Sequence, residues 1–389
     1  MDLEFSDEQQ MLREMVRGVC TSYSPLETVR AMEDDPTGYP TELWKQLAEL
    51  DLIGMMIPAA YGGSEMTIVD AAIVYEELGR ALAPSPHFVS AVMAAGAILR
   101  AGTDEQKQAW LPRIASGGTI VTTAWLEPHH GFGPAGVQLV ARPDGDEFVL
   151  DGTKWHVPFA SAAALLLVPA RTPAGVDLFL VDTATEGLSL TQQLTIASDT
   201  QFEVAFHGVR VPAGYRVGQA GGGWDTWHAT MLDGITLLAA QAMGGARYAL
   251  DITVQYAKDR HQFDKPLGAF QALAHYLADA STAVDGGTVL AYEAAWARSV
   301  GRRIDRLAPM AKLFACQTFR DVTAMAQQIF GGVGFTLDYD VQLYFRRAKQ
   351  LQISWWSDRY LEDLIAADTL DRDVEGPRLP APFRGPVDA

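Results

Sequence analysis

The sequence is poor in cysteine and in positive charge, and it contains no long apolar run. Its two cysteines, Cys20 and Cys316, are far apart in the chain, so they form no disulfide framework and are expected to be buried free thiols. No segment is apolar over the roughly twenty residues that a membrane-spanning helix needs, and no basic segment followed by an apolar one opens the chain. These absences predict a soluble, cytoplasmic protein.

The scarcity of positive charge limits the partners of the chain. Its 30 Lys and Arg residues face 48 Asp and Glu residues, which gives a formal net charge of −18. Nucleic acid and anionic membrane surfaces would be repelled, so neither is an expected partner. An anionic ligand would have to be bound by local basic residues. With 389 residues and 48% apolar content, the chain can form two or three domains with buried cores.

Two kinds of hydrophobic pattern divide the first half of the sequence. A capping box at residues 6–9 is followed by apolar residues at helical spacing, and residues 103–106 repeat the same device. Between residues 119 and 220, apolar residues come instead in short runs bounded by Pro, Gly or Asp, which is typical of β-strands. The pattern predicts a helical domain followed by a small β-sandwich or barrel.

Long helical patterns resume after the glycines at residues 221–223. Four long helices with short connections form a bundle. The predicted helices cover residues 233–258, 270–298, 307–330 and 338–367. We therefore predict an α+β multidomain fold with an all-α domain, a β domain, and a four-helix bundle that ends in a loose, Pro-rich tail. The predicted boundaries are residues 1–118, 119–220 and 221–389.

A glycine cluster at residues 328–335 interrupts an apolar helical pattern, and residues 352–358 follow it closely. Glycines at such a point let the backbone approach a partner or adopt dihedral angles that other residues avoid. The two segments together resemble the C-terminal signature of the acyl-CoA dehydrogenase family, and the order of domains extends the resemblance over nearly the whole chain. The resemblance implies FAD bound between the β domain and the bundle, with a neighbouring subunit closing over its adenosine end. It also implies oxidation of an acyl-CoA to the 2-enoyl-CoA, with the flavin as hydride acceptor.

One half of the family's FAD site is present. Arg260 and Phe263 match an Arg-x-x-Phe element that reaches the FAD of the adjoining subunit, where a guanidinium bonds the diphosphate and a ring packs on the adenosine. A glutamine on the next helix, and a glutamine with two glycines on the helix after it, complete this half. The resemblance thus assigns these residues to cofactor binding: Arg260, Phe263, Gln271, Gln328, Gly331 and Gly332.

The other half of the site departs from the family pattern. Leu126 stands where a threonine hydroxyl would contact the pyrimidine edge of the flavin. His156 stands where an indole covers the ring, and Pro158 stands where a hydroxyl and a backbone N–H contact flavin N5 and O4. Proline has neither donor. Because each lost hydrogen bond costs about 1–3 kcal/mol, the site for this chain's own flavin is expected to be weak.

The family's catalytic base is missing as well. The position of its glutamate is Trp355, and an indole accepts no proton at any useful pH. In some members the glutamate lies on the first helix of the bundle, but that position is Gly234 here. Asp233 is adjacent, although one residue along a helix is about 100° of rotation. It is therefore only a weak candidate for a relocated base.

Other titratable residues near this region are weaker candidates. Asp225, His228 and Asp358 lie in the corresponding part of the sequence and have no further support. The His129–His130 pair has no third ligand at suitable spacing, so no metal site is predicted.

The residues around the missing base have packing and surface roles in this interpretation. Trp355 and Trp356 together present a large aromatic surface, which is expected to fill this subunit's own pocket. Arg346, Arg347 and Lys349 are expected to be solvated or to form ion pairs between helices.

The sequence therefore retains the residues that would bind a neighbouring subunit's FAD. It lacks the residues that would bind a flavin in its own cavity and the catalytic base. A symmetric homotetramer needs both halves on every subunit, whereas a hetero-oligomer does not. We predict a non-catalytic partner subunit that completes the FAD site of a related acyl-CoA dehydrogenase chain. The complex would oxidise an acyl-CoA with a fatty acyl group or a steroid side chain and pass electrons to an electron-transfer flavoprotein or another acceptor.

Two alternatives stay open at this point. One is a self-sufficient acyl-CoA flavoenzyme with a relocated base, acting as a homodimer or tetramer. The other is an acyl-CoA-binding or assembly protein that has the fold and no redox role. Purified alone, the first would be yellow, whereas the second would be colourless with every related partner.

Overall fold

A computed structural model of the protein describes residues 4–129 and 131–370. The predicted loose tail after residue 371 lies outside the described residues. The N-terminal part is helical, and Ser6 and Thr103 cap two of its helices in the predicted capping boxes. A π-helical segment at Phe88–Ala94 leads directly into another helix. The helices are α1 (Asp7–Tyr23), α2 (Leu26–Ala31), α3 (Thr41–Glu49), α4 (Ile68–Arg80), α5 (Ala95–Ala101) and α6 (Asp104–Ala115).

The middle part is one eight-stranded sheet around an apolar core. Its strands are β1 (Val121–Thr123), β2 (Val140–Asp144), β3 (Glu147–Pro158), β4 (Leu165–Thr172), β5 (Gly175–Asp182), β6 (Leu188–Gln193), β7 (Gln201–Pro212) and β8 (Arg216–Val217). The strand order is β6-β7-β3-β2-β4-β5-β8, and β1 pairs with β4 in parallel. The regular pairing of β2 begins at Val140, its first residue.

Strand β3, which pairs with β7 and β2 in the interior of the sheet, contains a bulge. The pairing of β3 with β7 shifts register between Lys154 and Val157, and His156 has a φ of 53° there. A bulge bends a strand and re-aims its side chains, and bulges are common beside active sites. This local irregularity sets the direction of the residues that follow it.

The C-terminal part is a helical bundle. It consists of α7 (Gly223–Asp259), a hairpin of β9 (His261–Gln262) and β10 (Lys265–Pro266), and then α8 (Gln271–Ser299), α9 (Leu307–Phe330), α10 (Val341–Ile353) and α11 (Asp358–Leu370). The bounds of α9 are those predicted from the sequence. The prediction of one helix over residues 338–367 is wrong, because Trp355 and Trp356 have φ values of 53° and 73° that no α-helix contains. The all-α, β and bundle parts of the predicted fold class are confirmed. In the described residues, no helix is both long and apolar enough to span a membrane.

Helices α4 and α7 approach each other closely through glycines. A Cβ atom added to Gly79 would lie 2.0 Å from the carbonyl oxygen of Gln241, and one added to Gly244 would lie 1.8 Å from that of Glu76. Backbone is the obstacle in both cases, so neither site can hold a larger residue without moving a helix. The contact fixes the N-terminal helices against the bundle.

We expect Gly244→Ala to lower the free energy of unfolding by about 1–3 kcal/mol, because the new methyl group forces α4 and α7 apart. The matched control is Gly286→Ala on α8, where the nearest atom to a new Cβ is a Phe314 ring carbon at 3.9 Å. There we expect a gain of up to about 1 kcal/mol, since alanine is the better helix former. Urea denaturation followed by circular dichroism measures both, and equal shifts for the two variants would contradict the close-approach argument.

Candidate functional site

The turn between α10 and α11, at residues 354–357, holds the position that the family resemblance assigns to the base. We call it the Trp turn. Its two indole-bearing residues, Trp355 and Trp356, both have positive φ, which is rare for bulky side chains. The buried ammonium of Lys312 on α9 donates to the carbonyl oxygens of Leu351 at 3.1 Å and of Trp356 at 2.9 Å. Burial lowers the pKa of Lys312. The turn is thus held by hydrogen bonds from the neighbouring helix.

The indoles of the Trp turn pack differently. Trp356 is fully buried, whereas the Trp355 ring stacks on Trp125 at a centroid distance of 6.0 Å and meets Phe88 edge-on at 4.8 Å. The prediction that the two indoles fill this subunit's pocket is wrong in part, because Trp356 turns into the core and Trp355 forms only one wall. A cavity of about 460 Å³ remains beside it.

The cavity lies where the N-terminal helices, the β sheet and the bundle meet. Its apolar walls include Phe88 from the π-helical segment, Trp125 after β1, and Leu238 on α7. Titratable and amide side chains also line it: Asp199, Gln201, Gln241, Arg347, Lys349 and Gln350. Of the carboxylates in the described residues, only Asp199 lines this cavity, and its oxygens accept hydrogen bonds from Thr195 and Gln201.

The structure brings the three flavin-face positions together on this cavity. Leu126, His156 and Pro158 all line it. The leucine side chain and the proline have no donor, and the backbone N–H of His156 is taken by the Oε1 atom of Gln193 at 3.0 Å. The pyrimidine edge of a flavin has several polar atoms that need hydrogen-bond partners. The residues present do not fit an isoalloxazine ring in the manner of the family.

The candidates for a relocated base do not reach the cavity. Asp233 lies between two guanidinium groups, at 2.5 Å from Arg100 and 2.7 Å from Arg298, and it does not line the cavity. This geometry gives it no access to a bound acyl group. Its carboxylate instead forms ion pairs with arginines of two other helices.

The weaker candidates are also placed elsewhere. Asp225 is exposed, and Asp358 accepts a hydrogen bond from Gln352 at 2.6 Å. His228 packs against the Trp356 ring at 5.1 Å, and burial lowers the pKa of its imidazole. None of the three lines the cavity.

The histidine pair in the β domain, at which no metal site is predicted, lies at the edge of the described residues. His129 lies against the Trp155 ring at 5.9 Å, while His130 falls outside the described residues. Over residues 4–129 and 131–370, no group of three or more His, Cys, Asp or Glu side chains could hold a metal ion.

The residues assigned to a neighbour's FAD lie on the surface of the bundle. Phe263 is 86% exposed, and Arg260, Gln271 and Gln328 are exposed as well. None of these three polar side chains forms a hydrogen bond or an ion pair within the part of the chain that the structure describes. Their donors and acceptors are therefore open to an external molecule.

Two ring contacts bring these surface residues toward one another. Tyr256, near the end of α7, stacks on Phe330 at 4.2 Å, which places the segment with Arg260 beside the start of the glycine cluster. Phe263 meets Phe270, the residue before α8, at 6.2 Å. Gly331 has a φ of 65°, and a Cβ atom added there or at Gly332 would meet no atom within 4 Å. The glycine backbone is thus bare and open to approach.

The three basic residues of α10 have different surroundings. Arg346 forms an ion pair with Glu33, and Lys349 is exposed. Arg347 is half-buried, has no ion pair among the described residues, and lines the cavity. Asp199 was missed altogether, because nothing in its surrounding sequence marks it as a cavity residue.

A buried ion pair supports the start of the β domain. The Nζ atom of Lys154 lies 2.6 Å from the Oε1 atom of Glu127, and both side chains are almost completely buried. Glu127 also accepts the backbone N–H groups of Gln138 and Leu139 at 3.0 Å. Burial lowers the pKa of Lys154 to about 8, against the opposing effect of the carboxylate.

Comparison with known proteins assigns all three parts of the chain. Family models match in order: the acyl-CoA dehydrogenase N-terminal domain over residues 6–118, the middle domain over residues 122–209, and the C-terminal domain over residues 221–369. The chain is 34% identical over 383 residues to the probable acyl-CoA dehydrogenase YngJ of Bacillus subtilis (strain 168), covering 95% of this chain and 100% of that protein.

Two of the similar solved structures have names that join two components. A variant of the Tcur3481-Tcur3483 steroid ACAD is 34% identical with a TM-score of 0.83, covering 92% of this chain and 98% of that one. The ChsE4-ChsE5 complex from Mycobacterium tuberculosis is 28% identical with a TM-score of 0.88, covering 96% of this chain and 100% of that one.

Proposed function

The chain belongs to the acyl-CoA dehydrogenase family, and on this premise we propose that it is a non-catalytic partner subunit that completes the FAD site of a related chain. Members of this family are flavoproteins that act on acyl-CoA thioesters with FAD. The observation that carries the proposal is the uneven state of the two halves of the site. The residues assigned to the outward half are present and exposed, whereas the inward half has Trp355 in place of the base and Leu126 and Pro158 in place of the family's donors.

The outward half supports the proposal through its openness. The Arg260 side chain has no hydrogen bond or ion pair among the described residues, and Phe263 is exposed and touches only the Phe270 ring among the aromatic side chains described. The Gly331 backbone, which follows Phe330 on the same surface, is open to approach. A guanidinium without a partner is suited to a diphosphate, and an exposed ring is suited to an adenine. These groups would bind the adenosine diphosphate part of an FAD whose flavin belongs to the partner. FAD would supply the hydride acceptor there, and the partner's glutamate would supply the base.

The inward half supports the proposal through what it lacks. Trp355 presents an indole where a carboxylate is needed, and Pro158 and Leu126 offer no donor to the cavity. Asp233, the residue nearest to an alternative base, is held by two arginines. A self-sufficient enzyme would need at least one of these features restored.

The substrate class is proposed from similarity alone. The chain is similar to a steroid ACAD with two named chains and to the two-component ChsE4-ChsE5 complex. We therefore propose a hetero-oligomer that oxidises a bulky acyl-CoA, such as one with a steroid side chain. An electron-transfer flavoprotein or another acceptor would reoxidise its flavin.

We expect the purified chain to be colourless and to acquire flavin absorbance and acyl-CoA oxidation only when it is co-expressed with a related chain that carries the glutamate. The control for the site of chemistry is a pair of variants. Glu→Gln at the partner's base should abolish turnover and leave the flavin in place. Trp355→Phe in this chain, which keeps an aromatic ring on Trp125, should leave turnover unchanged.

Two other results would replace this proposal. A pure chain that is yellow and bleaches with an acyl-CoA would be a self-sufficient enzyme. A chain that stays colourless with every related partner would have a role in binding or assembly without redox chemistry.

A further inference from the structure

Arg347 is a partly buried cation whose guanidinium has no direct partner in the described part of the chain. It lies on α10, it is half-buried, and it lines both the main cavity and a smaller one of about 80 Å³ beside Phe319. No hydrogen bond or ion pair connects its guanidinium to another described residue. The guanidinium of the adjacent Arg346, by contrast, has several partners. It pairs with Glu33 and donates to Gln342 and to the carbonyl oxygen of Ile196.

The carboxylates nearest to Arg347 are engaged by other groups. Glu33 is bound by Arg346. Asp199 accepts from the Thr195 hydroxyl at 2.6 Å, and from the amide groups of Gln201 and Gln350. Burial lowers the pKa of Arg347, while Asp199 and Glu33 oppose that shift from a distance. An arginine remains charged under such conditions, and a buried charge without a counter-ion is costly. An acceptor is therefore missing from this arrangement.

The rest of the cavity is suited to an apolar body. Phe88, Leu351 and Trp355 form continuous apolar surface next to Arg347. At the rim, Ile196 is 78% exposed and Ile353 is 54% exposed. A volume of about 460 Å³ is within the range of small-molecule sites. The cavity thus combines the Arg347 cation with apolar wall at Phe88, Leu351 and Trp355, beside the polar side chains that also line it.

We propose that this cavity binds an amphipathic carboxylate, with the carboxylate on Arg347 and the apolar body along Phe88, Leu351 and Trp355. A guanidinium presents paired N–H groups that match the two oxygens of a carboxylate. The side chain of Gln241, which lines the cavity and has no hydrogen bond to another described residue, supplies a further donor. In a chain with a net charge of −18, a cation without an ion pair at the cavity wall favours an anionic ligand at that point. The inference does not depend on the partner-subunit role.

Decanoate and 1-decanol are matched probes for the full-length chain, since they share an apolar body and differ in charge. We expect calorimetric titration to give at least about tenfold tighter binding of decanoate, as a charge-assisted pair provides. Arg347→Met should abolish that preference and leave decanol binding unchanged. Arg347→Lys should keep the preference in part, and Arg320→Gln, which removes a solvent-exposed arginine paired with Asp321, should leave it intact.

Three results would overturn the proposal: equal affinity for the two probes, a preference that survives in Arg347→Met, or no binding of either probe. Thermal melting establishes that each variant is folded. If Arg347→Met does not fold, Arg347→Lys and Gln241→Leu take its place, and both should weaken decanoate more than decanol. Flavin absorbance in the pure chain that decanoate cannot displace would assign the cavity to FAD instead.

Discussion

A chain with Arg260→Ala and Phe263→Ala is expected to assemble with its glutamate-bearing partner and to leave the complex nearly free of FAD. The guanidinium would bond the diphosphate, and a charge-assisted hydrogen bond contributes about 1.5–3 kcal/mol. Stacking of an aromatic ring on a base contributes about 1–3 kcal/mol more. Because 1.4 kcal/mol is a factor of ten in affinity, the two changes together should weaken FAD binding about a hundredfold or more.

The ratio of flavin to protein in the co-purified complex, read from absorbance after gel filtration, measures this loss. Both changes should cost this subunit little stability, since Phe263 is 86% exposed and Arg260 has no ion pair among the described residues. The matched control is Arg142→Ala, an exposed arginine on β2 in the β domain that pairs with Asp151. Full flavin content in the double variant would remove these residues from the cofactor site. Failure of the complex to form would reassign them to contacts between subunits.

Lys154→Met is expected to lower the free energy of unfolding by about 3–5 kcal/mol, which is the cost of leaving one member of a buried pair without the other. The Glu127 side chain is 4% exposed, so its charge cannot be solvated once the ammonium is gone. Two backbone N–H groups still reach this carboxylate, from Gln138 and Leu139, and they limit the loss without neutralising the charge. Urea unfolding followed by tryptophan fluorescence gives the difference.

Removing the stranded charge should restore much of this stability. In Lys154→Met/Glu127→Gln the amide still accepts from the backbone but carries no charge, so we expect it to be more stable than the single variant. As an exposed comparison, breaking the Arg142–Asp151 pair on the surface should cost less than about 1 kcal/mol. A double variant as unstable as Lys154→Met would mean that packing, and not charge, accounts for the loss.

Much of the fold follows from local patterns in the sequence. The capping boxes at Ser6 and Thr103 and the bounds of α9 are local signals, set by side-chain donors and by hydrophobic period, and the structure confirms them. The break between α10 and α11 was not predictable in this way. No preference of tryptophan signals a positive φ at Trp355 or Trp356, and the turn exists because Lys312 and the surrounding core hold it.

The site was predictable in part, for a similar reason. Arg346 and Arg347 are adjacent in sequence and received one prediction, yet they are about 100° apart around the helix. Because of that rotation, Arg346 reaches Glu33 and Arg347 lines the cavity. The packing of α10 against α9 decides which face of α10 borders the cavity and which faces solvent. The sequence alone does not give this packing. The roles of Arg260 and Phe263 came from family resemblance, and they stay predictions.

The packing of the Trp turn also limits which residues position 355 can accommodate. Trp355 stacks on Trp125 and meets Phe88 edge-on, and Trp356 is buried in the core, so both rings contribute to the packing of the fold. A single codon change that returned a carboxylate to position 355 would cost about 3–5 kcal/mol in lost packing and would set a charge against two aromatic faces. A carboxylate introduced at position 355 alone would therefore destabilise the fold. Substitutions that keep an aromatic ring on Trp125 are expected to be tolerated best at this position.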